Sequence, residues 1–253
     1  MTYRVGVDVG GTSIKVGLLD AATGTILRRE EVPTPAGGTP PAIASAIRDV
    51  LADVDPESTS AVGICLPAIV VDGIARSAAN IAPEWVGTDA VALFEAELGR
   101  PVGVLNDADA AGLAEVTHLT EAERAGVVIV ITLGTGVGSA LFTDGRLTPN
   151  SELGHLHLNG KLVDNHVGFS AVRREGLSIE SWAERVSAYL HHLERLFSPS
   201  VFIIGGGGSI YFTQIADALP PGIRAVAARH GNDGGITGAA EIGAGKESSV
   251  APS

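Results

Sequence analysis

Residues 101–115 read PVGVLNDADAAGLAE. The apolar run 102–105 stops at Asn106-Asp107, and an alanine-rich, helix-favouring stretch follows. This is the pattern of a strand that delivers an amide and a carboxylate into the first turn of a helix. A helix N terminus stabilises negative charge, so a carboxylate there is favoured in its ionised form. Held in place, it is able to take a proton from a substrate hydroxyl. Capping is the plainer role of Asn or Asp at such a junction, and on this stretch alone both roles stand.

Working outward, the same grammar appears twice. Val5, Val7 and Val9 alternate along 3–9, a strand pattern that breaks at Gly10-Gly11-Thr12-Ser13 and resumes over 14–19. After a turn at 20–24, residues 26–32 predict a third strand, 33–41 a Pro/Gly-rich loop and 42–54 a helix. A buried strand at 61–66, a turn at Asp72-Gly73 and a helix at 90–98 lead to the opening stretch. In the second half, the apolar run 127–133 breaks at Gly134-Thr135-Gly136 and resumes over 137–143, with a turn at Asp144-Gly145 and a third extended stretch from Arg146. An amphipathic helix at 178–197 carries Trp182, Val186, Leu190, Leu193 and Phe197. A buried strand at 201–204 runs into four glycines, and helices are predicted over 210–219 and 235–242, with 246–253 a small, polar, mobile tail. The two glycine turns lie roughly 125 residues apart, too far for a solenoid repeat. The expected architecture is a duplicated α/β domain, with ligands bound in a cleft between the copies.

Composition limits what such a protein does. The 253 residues are 45% apolar, include 33 glycines and carry a net charge of −12. That length supports a sizeable core, and the acidic balance argues against binding nucleic acid by phosphate neutralisation. It does not argue against holding a few phosphates with backbone amides and one or two lysines. Cys65 is the only cysteine, which rules out an internal disulfide and a cysteine zinc cluster. Its apolar surroundings predict a buried strand residue. The chain reaches a strand by Tyr3 and has no run of membrane-spanning length, so the expectation is a cytoplasmic protein with no membrane partner.

Two stretches have the chemistry of a phosphate site. Glycine in a turn lets successive N–H groups converge on an oxyanion. Asp8, Gly10, Gly11, Thr12 and Lys15 add to such amides a carboxylate able to orient Mg²⁺-bound water, a hydroxyl and an ammonium group. Gly134, Thr135 and Gly136 offer a second cradle; each turn alone also suits a plain hairpin. The glycines at 205–208 fail the dinucleotide spacing, because Ile210 stands where the third glycine belongs. No GxxxxGK[ST] motif is present. Glu152-Leu153-Gly154-His155 places a carboxylate and an imidazole around one glycine, a pair suited to sugar hydroxyls. His155 has no second metal ligand at useful spacing, and His118, His157, His166, His191, His192 and His230 have no comparable neighbourhood.

With these pieces in view, the chain resembles ROK-type sugar kinases of the actin/hexokinase-like, or ribonuclease H-like, superfamily, and within them the bacterial polyphosphate-dependent glucokinases. The resemblance runs from about residue 4 to about residue 243, on VDVGGTSIK (7–15), SAANIAPEW (77–85), LNDADAAGLAE (105–115), ITLGTGVGSA (131–140), PNSELGH (149–155), FIIGGGG (202–208) and GITGAAEI (235–242). It implies an N-terminal domain over 1–107, a C-terminal domain over 108–234, and a helix near 235–245 that packs back on the first. By the same resemblance Asp107 is the general base acting on the 6-hydroxyl of glucose. Asn106, Glu152 and His155 hold the sugar, and Asp164 is the nearest match to a third sugar carboxylate. Asp8, Gly10, Gly11, Thr12 and Lys15, with Gly134, Thr135 and Gly136, hold phosphates and Mg²⁺, while Gly206 and Gly207 lie near the nucleotide or donor chain. A homodimer is implied as well.

Departures from the family pattern matter too. The cysteine-rich zinc loop that many members carry after ExGH cannot exist here, in keeping with the polyphosphate branch, so no zinc site is expected. Ala68 follows Pro67 where glycine is common. A polyphosphate chain needs a basic track, yet residues 209–216 hold no Lys or Arg, leaving Arg28, Arg29, Arg173 and Arg174 as candidates. The donor stays open between polyphosphate, ATP and both. The alternatives are a kinase for mannose or an N-acetylhexosamine, and a non-catalytic sugar-sensing protein.

Overall fold

A computed structural model describes residues 2–55 and 61–250, which divide into two units, Met1–Ala114 with Asp233–Ser253, and Glu115–Asn232. The first contains β1 (Tyr3–Val9), β2 (Ser13–Asp20), β3 (Ile26–Pro33), α1 (Pro40–Val54), β4 (Val62–Leu66), a small hairpin of β5 (Val70–Val71) and β6 (Ile74–Ala75), α2 (Ala90–Leu98), β7 (Val102–Asn106) and most of α3 (Asp107–Val116). The second contains β8 (Val127–Leu133), β9 (Val137–Thr143), β10 (Arg146–Thr148), β11 (His157–Leu158), β12 (Lys161–Leu162), α4 (Val163–Val167), α5 (Ser170–Glu175), α6 (Ile179–Phe197), β13 (Val201–Gly205), α7 (Phe212–Ala218) and β14 (Ala225–Ala227). The last helix, α8 (Gly234–Val250), belongs to the first unit. Among the described residues no helix is long and apolar enough to cross a membrane.

The sheets share one topology. The first runs β3-β2-β1-β4-β7 and the second β10-β9-β8-β13-β14. In each, the first three strands are antiparallel hairpins and the last two are added in parallel. Parallel neighbours need a crossover, which is why helices separate those strands in sequence. The central parallel strands β4 (VGICL) and β13 (VFIIG) are buried along their whole length, as strands covered on both faces must be. By contrast the edge strand β3 turns Arg28, Arg29, Glu30 and Glu31 to solvent, which discourages pairing with another sheet.

Period-two alternation in the first unit sends Val5, Val7, Val9, Val62, Ile64, Leu66 and Val102 into a core with α1, α2 and Trp85. The opposite face is built from glycine. Gly17, Gly6, Gly63 and Gly103 are register neighbours across β2, β1, β4 and β7. The backbone of α8 lies directly on that row: a Cβ on Gly6 would stand 1.9 Å from the Ile236 carbonyl oxygen, and one on Gly63 1.6 Å from that of Ala239. No side chain fits there.

The first unit runs to Ala114, and Ala110 of α3 packs in it with Cys65, Leu105 and Ala239 in one cluster. Three expectations are corrected. The helix expected over 210–219 begins as a 3₁₀ turn over Gly207–Tyr211 and becomes α-helical only at Phe212. The helix expected at 42 starts at Pro40, since proline is pre-shaped for a first turn. Finally, the tail expected from 246 is helical through Val250 as part of α8, while 251–253 lie outside the described residues.

Candidate active site

In the first unit, Asn106 ends β7 and caps α3. Its Oδ1 accepts from the backbone N–H groups of Ala108 at 2.8 Å and Asp109 at 3.1 Å, and its Nδ2 donates to the Ala68 carbonyl at 3.2 Å. With 8% exposure, Asn106 is committed largely to that cap and to the loop after β4. Asp107 is the more exposed of the pair, and its Oδ1 accepts from Ala108 N–H at 2.8 Å. Of the roles foreseen for this junction, the amide performs the cap, and the carboxylate stands at the helix N terminus.

Two strands over, on β1, Asp8 sits in register with Cys65 of β4 and, across the hairpin, with Lys15. Lys15 Nζ donates to Asp8 Oδ2 at 2.9 Å. Burial pulls the Lys15 pKa down, but the adjacent Asp8 carboxylate outweighs it and holds the ammonium above its ordinary value. The Cys65 thiol donates to Asp8 Oδ1 at 3.5 Å. Burial first, and then the carboxylates of Asp8 and Asp107, push its pKa well up, so Cys65 is a neutral buttress rather than a nucleophile. Behind Asp8 lies Gly235 of α8, where a Cβ would come within 2.7 Å of the carboxyl carbon. The helix N terminus thus abuts the carboxylate that its dipole favours.

The loop beside Asp8 is held at both ends. Gly10 N–H donates to the Ser13 carbonyl at 2.9 Å, and Thr34 Oγ1 donates to the Gly10 carbonyl at 2.6 Å. Thr34 N–H also donates to the Thr12 carbonyl at 3.0 Å. Gly11 packs on Asn80, so that a Cβ would stand 2.7 Å from its carbonyl oxygen. Gly11 and Thr12 themselves are exposed, leaving them open to a ligand. Trp85 of the same motif as Asn80 is buried and donates from Nε1 to the Gly38 carbonyl at 2.9 Å, which is a core task.

The second unit repeats the loop with other parts. Gly134 N–H donates to the Gly136 carbonyl at 2.9 Å, Ser170 N–H to the Gly134 carbonyl at 3.1 Å, and Ser170 Oγ to the Thr135 carbonyl at 2.6 Å. Thr135 is exposed, and nothing lies near the position of a Cβ on Gly134. Glu152 precedes a 3₁₀ turn over Leu153–His155, with its Oε2 3.9 Å from His155 Nδ1. That turn is fastened to β9, since Ser139 Oγ accepts from Leu153 N–H at 3.0 Å and donates to the Ser151 carbonyl. Asp164, expected with the sugar ligands, bonds beside the glycine loop: its Oδ1 accepts from Val137 N–H at 2.7 Å. Gly206 has a left-handed φ of 75° and lies on the Leu133 backbone, whereas Gly207 has open space at its Cβ position.

Among residues not foreseen, Thr34, Ser139 and Ser170 each tie a functional turn from a distance of 12 to 35 residues. No spacing rule points to them. His230 and His118 also have neighbours that the sequence did not suggest. The two rings stack at 4.8 Å, and Glu115 Oε1 lies 3.0 Å from His230 Nδ1 while its carboxylate accepts from the Arg229 and His230 N–H groups at 2.9–3.0 Å.

Comparison with known proteins adds the family. The ROK family profile matches residues 4–176. The polyphosphate glucokinase of Mycobacterium tuberculosis (strain ATCC 25618 / H37Rv) is 38% identical over 240 residues, covering 94% of this chain and 90% of the relative. The crystal structure of the inorganic polyphosphate/ATP-glucomannokinase from Arthrobacter sp. strain KM is similar with a TM-score of 0.90 and 43% identity, over 97% of this chain and all of that one. A ROK family glucokinase from Streptomyces griseus, solved with glucose and AMPPNP, is similar with a TM-score of 0.77 and 26% identity, over 95% and 99% of the two chains. By the profile match and these relatives, this chain belongs to the ROK family.

Proposed function

We propose that this protein is a glucokinase that transfers a phosphoryl group from polyphosphate or ATP to the 6-hydroxyl of glucose. The observation that carries the reading is 38% identity to polyphosphate glucokinases over nine-tenths of their length. Asp107 takes the proton of the sugar hydroxyl; its place at the N terminus of α3 supports that role. Glu152 and His155 accept and donate hydrogen bonds to the remaining hydroxyls, with Asn106 placing the start of α3. Gly10, Gly11 and Thr12, with Gly134, Thr135, Gly136, Gly206 and Gly207, supply amides and hydroxyls to the donor phosphates, and Lys15 supplies charge. Such a reaction is driven mainly by positioning and charge neutralisation, which is what these groups offer.

Mg²⁺ belongs to the same reading. Asp8 is a single carboxylate already bonded to Lys15 and Cys65, a donor set that suits a hydrated Mg²⁺ held through its waters. Bound there with donor phosphates, the ion would neutralise their charge. A cytoplasmic homodimer also belongs to the reading, on family resemblance, and light scattering of the purified chain tests the dimer.

The basic track for a polyphosphate donor narrows in the structure. Arg29 is tied to Asp233 at 3.0 Å and Glu31 at 2.9 Å, and Arg174 to Glu175 at 3.0 Å and the Asn165 carbonyl. Arg173, on α5 beside the Ser170 that holds the second loop, is the remaining candidate nearest that loop in sequence. The test of the function is glucose 6-phosphate formation with Mg²⁺, with ATP and long-chain polyphosphate as separate donors. Product with either donor upholds a glucokinase, and no product with both overturns it. Mannose is the second acceptor to assay, because one similar structure is a glucomannokinase.

A further inference from the structure

We propose that Asp164 is a positioning residue that locks the second glycine loop to the Glu152–His155 turn, so that the donor and sugar sides of the second unit hold a single geometry. The argument turns on Val137, the first residue of β9 after the loop. Its N–H is bound by Asp164 Oδ1 at 2.7 Å. Its carbonyl closes on the other side against Gly154, where a Cβ would stand 2.2 Å from the Val137 oxygen. Val137 is therefore gripped at both of its peptide groups, on the N–H side by α4 and on the carbonyl side by the turn that carries Glu152 and His155.

The grip is close-fitting throughout. Asp164 lies so near Gly136 that a Cβ there would stand 2.0 Å from Oδ1. Gly168, whose N–H donates to the Asp164 carbonyl at 3.3 Å, presses on Gly136 from the end of α4; a Cβ on Gly168 would be 3.0 Å from the Gly136 Cα. Ser170, two residues on, bonds the Gly134 and Thr135 carbonyls. One short segment, 164–170, thus contacts every residue of the loop, and through Asp164 it also bonds the strand that leads to Glu152. Removing that carboxyl group releases Val137 N–H and loosens the loop and the turn together, because a small displacement of amides aimed at phosphate is costly in rate.

Asp164→Ala and Asp164→Asn separate this role from direct sugar binding. The activity arm rests on the proposed glucokinase reading; a hydrogen-exchange arm on the peptide containing Val137 does not. Asn keeps an Oδ1 acceptor, so it is expected to stay within about threefold of the parent protein in donor KM and glucose Kd, with Val137 still protected. Ala is expected to raise both the donor KM and the glucose Kd by about tenfold and to speed exchange at Val137. A loss of glucose affinity in Asn with donor KM unchanged would show a sugar ligand and overturn the proposal. So would an Ala variant with unaltered exchange at Val137. If Ala does not fold, the Asn arm still decides, and a parent protein without kinase activity would sink the function reading while leaving the exchange result to stand.

Discussion

In the first glycine loop Asp8 and Lys15 face each other in register and pair at 2.9 Å, whereas the matching positions beside the second loop are Thr132 and Gly138. Both loops are fastened the same way, by a hydroxyl that donates to a loop carbonyl at 2.6 Å, Thr34 in one and Ser170 in the other. The first carries its charges inside the hairpin. The second is a neutral hairpin, and its nearest carboxylate, Asp164, arrives from α4 to shape the backbone. Duplicated topology has kept the amide cradle while the reactive groups diverged, with the candidate base and the ion pair both in the first unit.

The units also differ in how their sheets are covered. Glycines let α8 rest on the backbone of the first sheet, while in the second unit α6 covers its sheet through bulky side chains, among them its own Trp182 and Tyr189 and Phe202 of β13. Close backbone contact tolerates no added atom; a side-chain core gives by rotamer changes and small cavities.

The largest expected effect is at the candidate base. Asp107→Asn should cut kcat by about a thousandfold while glucose binding measured by calorimetry is kept. Next to the matching strand end, Arg229→Ala should change kcat by less than about threefold, and a comparable loss there would end the claim that the chemistry sits in the first unit. Second comes packing. Gly63→Val should cost more than about 3 kcal/mol in urea unfolding, since α8 cannot dock, whereas Ile204→Val on the counterpart strand of the other sheet should cost about 1 kcal/mol. Equal losses would erase the contrast between the two coverings.

Third is the ion pair. Asp8→Asn should lower kcat by about a hundredfold, against less than about threefold for Thr132→Val at the equivalent position. The smallest effect is on acid stability. Burial alone would raise the pKa of Glu115, but hydrogen bonds from the His230 ring and from the Arg229 and His230 N–H groups prevail and hold it below the ordinary 4.5. A depressed carboxylate pKa stabilises fully above that ordinary value and is lost as pH falls through the folded one. Glu115→Gln should therefore cost about 1–2 kcal/mol at neutral pH, and the two proteins should converge below pH 4.5. A gap that persists in acid would assign the cost to packing alone.

Much of the site was legible in the chain. The loops Gly10–Thr12 and Gly134–Gly136 and the junction at Asn106-Asp107 each announce themselves through neighbours a few residues away, because turns, strand alternation and helix starts are local. Asp164 was not legible, since its partner Val137 is 27 residues distant. Nor was the Glu115 contact with His230, across 115 residues.

The amino-acid sequence by itself determined the order of strands and helices, the doubled plan and the places where chemistry meets a glycine turn. Only the tertiary structure decided that α8 lies directly on a row of glycines, that the first unit runs to Ala114, and which side chains hold the loops in shape. The reason is physical. Secondary structure follows from contacts within a few residues, whereas a four-glycine row drawn from Gly6, Gly17, Gly63 and Gly103 exists only once four strands lie side by side in register.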